Sequence, residues 1–174
     1  MKHRLSLALL LACSQSEAPK APEPPQPPEV LYGSVKERDR SGRANGMDFT
    51  AVIGAENALT QKLFTALRAA EPGRNLAVSG YSVHQVLAMI YAGAAGTTAE
   101  EMRQALGWAM PAPQFHAAMN ALDLELQSRA GDVTFTTANR LWAQRGLAVL
   151  PGFLDELTRS YGAPLAIADF AGAP

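Results

Sequence analysis

The sequence predicts an α+β domain in which helices surround a buried central helix and the first strands of a sheet lie alongside. Three observations predict it. Apolar residues return every three or four positions in several stretches, the period of a helix with one buried face. Residues 83–95 are apolar nearly all round, so a helix there has no polar face for water and belongs inside. Residues 133–143 alternate, with Val133, Phe135, Thr137, Asn139 and Leu141 on one side, which is the period of a strand. At 174 residues, 48% of them hydrophobic, the chain can bury one core.

Ahead of that domain come two unlike segments. Met1-Lys2-His3-Arg4 is a basic head, Leu5 to Ala12 an apolar run, and Cys13 follows; this is the layout of a secretory signal peptide over residues 1–12. Leu10-Leu11-Ala12-Cys13 resembles a bacterial lipobox, which implies a diacylglycerol on the Cys13 thiol. Ser14, being uncharged, is compatible with outer-membrane sorting. The other reading is an ordinary signal with an incidental cysteine, so the expected location is extracytoplasmic, as an outer-membrane lipoprotein or a secreted protein. Cys13 is the only cysteine, so no intrachain disulfide can form.

Residues 13–46 read as a disordered linker behind that cysteine. Ala18 to Glu29 holds six of the twelve prolines, and proline fixes φ and lacks an N–H, favouring extended polyproline II. The charged group Lys36, Glu37, Arg38, Asp39, Arg40 and Arg43 is expected to be solvated, and Gly42 to Gly46 a flexible joint. The globular part is then 47–174.

Within it, Leu59, Leu63 and Leu67, with Phe64 beside them, predict a helix over 50–70, ended by Glu71-Pro72-Gly73. Asn75 to Ser79 is a short strand candidate. The buried helix 83–95 follows, its small residues Ala88, Ala92, Gly93, Ala94 and Ala95 admitting close neighbours. Thr98-Ala99-Glu100-Glu101 has the pattern of a capping box, opening a helix with Met102 and Leu106 that Gly107 closes. Phe115, Met119, Leu122 and Leu126 mark one face of another helix. After the strand at 133–143, Pro151 suits the first turn of a helix whose stripe is Phe153, Leu154, Leu157 and Tyr161. Residues 164–170 make a last strand.

Several function classes find no support. The formal charge is −1, and the cations are scattered, which argues against nucleic acid. No apolar run reaches the roughly 18–20 residues of a membrane span, so membrane contact is expected only through Cys13. One cysteine and three separated histidines lack metal-site spacing, and no cofactor motif occurs. Gly80-Tyr81-Ser82-Val83-His84 is close to the nucleophile elbow Gly-x-Ser-x-Gly of hydrolases, but His84 replaces the second glycine and no Asp separates Ser82 from His116. His84 is expected on the buried helix and His116 on the surface, with no catalytic residue assigned.

Residues Asn75-Leu-Ala-Val-Ser-Gly-Tyr-Ser-Val-His-Gln-Val-Leu-Ala-Met-Ile-Tyr-Ala-Gly-Ala-Ala-Gly-Thr-Thr-Ala-Glu-Glu-Met102 resemble the N-terminal signature of the serpin family. There, Asn-x-x-x-Ser-Pro-x-Ser leads into a buried helix, then Gly-Ala-x-Gly-x-Thr and a capped helix. Thr137-Ala-Asn-Arg-Leu-Trp142 is similar to the second strand of the family's main sheet, and Leu150 to Phe170 also fits. The resemblance covers residues 50–170, and its two separated motifs are in register. One departure is Gly80, where the family has proline; proline would preset φ, and glycine forgoes about 0.4–1 kcal/mol if the geometry suits both.

The resemblance implies a serpin-like fold and a serine (or cysteine) protease inhibitor, not an enzyme. A cleaved bait loop near the carboxyl end of such proteins inserts as a new strand in the main sheet and drags the protease with it. It further implies that Ser79 and Ser82 lie where the sheet opens; the alternative is that they only cap a helix. Most of the sheet and the reactive loop would lie outside this N-terminal portion, so the target protease is not identified and the strands at 133–143 and 164–170 would lack most of their partners. A non-inhibitory serpin-like envelope binding lipoprotein remains the second reading. A heparin-like site is not expected, since Asp123 and Glu125 accompany only His116 and Arg129 as possible cations on that helix.

Overall fold

A computed structural model describes residues 28–41, 49–129 and 133–172. Its elements are β1 (Val30–Leu31), α1 (Thr50–Ala70), α2 (Gly80–Tyr91), α3 (Gly96–Ala105), α4 (Ala112–Ser128), β2 (Trp142–Gln144), α5 (Pro151–Tyr161) and β3 (Leu165–Ala168). The leader, Cys13 and the proline run up to residue 27 lie outside the described residues.

The central helix α2 divides two apolar clusters. On one side Ala88 and Tyr91 join Val52, Trp108, Phe115, Met119 and Leu122 from α1, α4 and the chain between them. On the other, Met89 meets Leu154, Leu157, Leu165 and Ile167 from α5 and β3. Helix α1 forms where the leucine spacing places it. Only Val52 and Ala55 are buried, however, and Phe64 and Leu67 are 44% and 39% exposed, so its C-terminal half carries an uncovered apolar stripe.

Four elements depart from the sequence expectation. The central helix expected over 83–95 runs Gly80–Tyr91, started early by the Ser79 cap, and Ala92 to Ala95 lie past its end. Residues 75–79 form no ladder: Leu76 and Val78 point inward and their neighbours outward, but no described strand lies beside them. The strand expected over 133–143 is a ladder only at Trp142–Gln144. The inward alternation persists through Thr137, Asn139, Leu141 and Ala143, so period two survives where the hydrogen-bonded neighbour does not. Helix α3 begins at Gly96, ahead of Thr98, with no side-chain cap. Gly96 has φ of +57°, a left-handed turn that sets the entry angle before Thr98 could act. Its far end matches expectation: Gly107, at φ +70°, closes it, and the Trp108 N–H donates to the Arg103 carbonyl at 2.9 Å.

Helix α4 is more enclosed than a single face. Residues 118–124 are all buried, and His116 with them, which corrects the surface placement of His116. Helix α5 has the predicted stripe and ends on Gly162 in the left-handed region.

The sheet order is β1-β3-β2. β2 and β3 are parallel, pairing Trp142 with Ala166 and Gln144 with Ala168, and α5 supplies the crossover that parallel neighbours require. β1 runs antiparallel on the other side, Val30 opposite Ala166 and Leu31 opposite Leu165. Residues 28–41 are therefore a packed part of the domain, and the expectation of a disordered linker as far as 46 is corrected over that stretch. The physical reason is a set of specific partners distant in sequence, which composition does not reveal. Among the described residues, no helix is long and apolar enough to cross a membrane.

Candidate functional site at the start of the central helix

Ser79 is extended, at φ −101° and ψ 97°, and its Oγ accepts from the Ser82 N–H at 3.2 Å. The two hydroxyls are 2.9 Å apart and exposed. The two residues named from sequence are thus brought together as a capping pair, a geometry generally worth about 1 kcal/mol.

Gly80 between them is buried against α1. A Cβ there would stand 1.6 Å from Thr60 Oγ1 and 3.1 Å from Thr60 Cα. This accounts for glycine in place of the proline of the family pattern: any β-carbon would drive α1 and α2 apart. Gly80→Ala is therefore expected to destabilise by about 1–3 kcal/mol through overpacking. Urea unfolding checks it, and in a Thr60→Gly background the same change should cost markedly less.

Tyr81, between the two serines in the first turn of α2, leads to a buried polar hub. Its hydroxyl donates to Asp123 Oδ1 at 2.6 Å and accepts from Gln85 Nε2 at 2.7 Å. Thr137 Oγ1 donates to the same carboxylate oxygen at 2.9 Å. The other oxygen receives Arg38 Nη1 at 2.7 Å and Gln127 Nε2 at 2.8 Å, while Arg38 Nε reaches Asn120 Oδ1 at 2.7 Å. Burial first, and then the Asp123 carboxylate, push the Tyr81 phenol well above its ordinary range. Sequence reasoning missed this hub. It noted Asp123 only as an acid unfavourable to a heparin-like site and placed Arg38 in a linker, and the one available signal was an acid flanked by Leu122 and Leu124 on an apolar helix.

The hydrolase alternative fails on geometry. His84 Nε2 accepts from the Trp108 indole N–H at 2.5 Å, and its Nδ1 is buried without a partner. Burial lowers its pKa to about 4. His116 Nδ1 pairs with the Tyr161 hydroxyl at 2.6 Å. Neither histidine is bonded to Ser82, whose hydroxyl faces Ser79. Among the described residues, no cluster of His, Cys, Asp or Glu could hold a metal ion.

Between the end of α2, α3, β2 and the start of α5, an apolar groove of about 530 Å³ is lined by Ile90, Met102, Trp142, Leu147, Leu150 and Phe153. Trp142, Leu147 and Leu150 on it are 51%, 60% and 78% exposed. So much contiguous uncovered apolar surface marks a contact surface.

Comparison with known proteins agrees with this architecture. A family model described as "Serpin (serine protease inhibitor)" matches residues 54–174. The leukocyte elastase inhibitor of Bos taurus is 33% identical over 112 residues, covering 64% of this chain and 29% of that protein. Iripin-2 of Ixodes ricinus is 34% identical over 123 residues, covering 69% and 31%. Among solved structures, one titled "Cleaved Serpin 42Da" superposes with a TM-score of 0.58 at 21% identity, over 67% of this chain and 31% of that one; it shows the fold. The chain thus spans about three-tenths of the length of the curated relatives it matches. The match over most of the chain, the central helix between two clusters and the strands β2 and β3 together place this chain in the serpin family, as an N-terminal portion of its domain.

Proposed function

We propose that this chain is the opening part of an inhibitor that traps serine or cysteine proteases by adding a cleaved bait loop to the sheet that β2 and β3 begin. The observation that carries the proposal is the sheet itself. β3 has a neighbour on each side, whereas β2 has none on its outer side among the described residues, and the Ser79–Ser82 pair sits at the start of the central helix. In this role the serine pair is a breakable hydroxyl contact whose release accompanies opening of the sheet. Relatives named as leukocyte elastase inhibitors make an elastase-type serine protease the first target to try.

The native product, captured with antibodies against residues 54–174, is to be incubated with leukocyte elastase. A new band that survives detergent and heat, of combined mass, is the expected result. Clean cleavage with no such band would overturn inhibition and favour a non-inhibitory, serpin-like envelope binding protein. On the same proposal the product is exported and held at the outer membrane by a lipid on Cys13. Cys13→Ser should move it from the membrane to the soluble fraction; unchanged fractionation would remove the anchor.

A further inference from the structure

Residues 28–41 precede the stretch matched to the family, yet they are tied to the domain at five places. Glu29 accepts the Ile167 N–H through its carbonyl at 2.8 Å and binds Arg145 Nη1 through its carboxylate at 2.7 Å. Ser34 Oγ and the Val35 N–H donate to the two oxygens of Asp155 at 2.8 and 2.7 Å. Arg38 enters the polar hub beside α4, its side chain 11% exposed. The Asp39 N–H donates to the Arg159 carbonyl at 2.9 Å, and its own carbonyl receives Asn120 Nδ2 at 2.7 Å. The backbone lies flat on α5, since a Cβ at Gly33 would stand 2.2 Å from Asp155 Oδ1.

What this covers is a hazard. β3 reads Leu-Ala-Ile-Ala, uncharged and buried, and an apolar strand with a free edge is a template for strand addition. β1, by contrast, is two residues long, preceded by Pro28 and Glu29, and short edges with proline and charge resist pairing. We propose that residues 28–41 are a strap in cis that closes the β3 edge of the sheet, so that new strands can join only beyond β2. This holds whether or not the protein inhibits a protease.

The two sides of β3 have separate reporters. The Ile167 N–H is bonded to Glu29 in the strap, and the Ala166 N–H to the Leu141 carbonyl at 3.0 Å on the β2 side. In the full chain, Leu31→Pro, which removes a backbone donor from β1, should raise Ile167 amide exchange at least about tenfold and leave Ala166 within about threefold. A labelled peptide of residues 28–41 should bind this variant and not the unaltered chain. Tryptophan emission in a Trp142→Phe background, which leaves Trp108, 2% exposed, as the one indole of the chain, reports that the helical core is intact. Asp155→Ala, which frees the strap from α5 without touching β1, should shift the same two amides in the same unequal way, by less. If Ile167 stays protected in both variants, if the two amides rise together, or if the peptide binds both chains alike, the strap is overturned.

Discussion

Arg38→Ala is expected to lower the stability of the folded chain by about 3–5 kcal/mol, the range for removing one partner of a buried ion pair. The side chains of Arg38 and Asp123 are only 11% and 4% exposed. The guanidinium also supplies a second charged hydrogen bond, to Asn120. After truncation Asp123 keeps Tyr81, Thr137 and Gln127 as neutral donors but loses its only cation among the described residues, and the site is too enclosed for bulk water to replace it. An added Asp123→Asn should recover part of the loss, because an amide carries no charge to strand. Urea unfolding followed by tryptophan emission in the same Trp142→Phe background measures both. A loss below about 1 kcal/mol, the worth of an exposed pair, would mean that the hub is solvated.

Acid should unfold the chain through its histidines before its carboxylates are titrated. An imidazole in the unfolded chain has a pKa near 6.5, whereas burial holds His84 at about 4 and also lowers His116. Between those values the unfolded state binds a proton that the folded state refuses. Stability is therefore whole above about pH 6.5, falls as pH falls, and has lost the full contribution of His84, about 3 kcal/mol, once pH is below 4. His84→Gln can still accept from the Trp108 indole but cannot titrate, so the fall between pH 7 and 4.5 should be shallower by a comparable amount. An unchanged slope would show that His84 is reached by water and charged without cost. Asp155 and Asp169, whose pKa values are lowered by hydrogen bonds from neighbouring backbone and side-chain groups, act in the same direction but at lower pH.

What the sequence made legible follows from how local each signal is. Leucines four apart, Gly107 and Pro151 each act within a turn or two, and α1, the end of α3 and α5 stand where they predict. The serine pair was visible for the same reason, since a cap and its recipient are three residues apart. Strands are a different matter. Alternation marks which side chains face inward, as Thr137, Asn139, Leu141 and Ala143 do, but a ladder needs a neighbour, and Asn75–Ser79 has none beside it among the described residues. Hardest of all were the partners separated by about half of the chain or more. Val35 with Asp155 and Arg38 with Asp123 are bound across 120 and 85 positions, and no local pattern in a proline- and charge-rich segment announces them. The family resemblance could not help there, because the matched region starts at residue 54.

The distant tie between the strap and its partners has a consequence during synthesis. Ser34 leaves the ribosome 121 residues before Asp155, an interval of roughly 6–24 s at ordinary elongation rates of about 5–20 residues per second. The same order holds as a chain emerges across a membrane, and the core around Trp108 can condense before Asp155 arrives, since its buried residues all lie between 52 and 122. The strap, although translated early, is among the last pieces to dock, and until it does β3 has one bare flank.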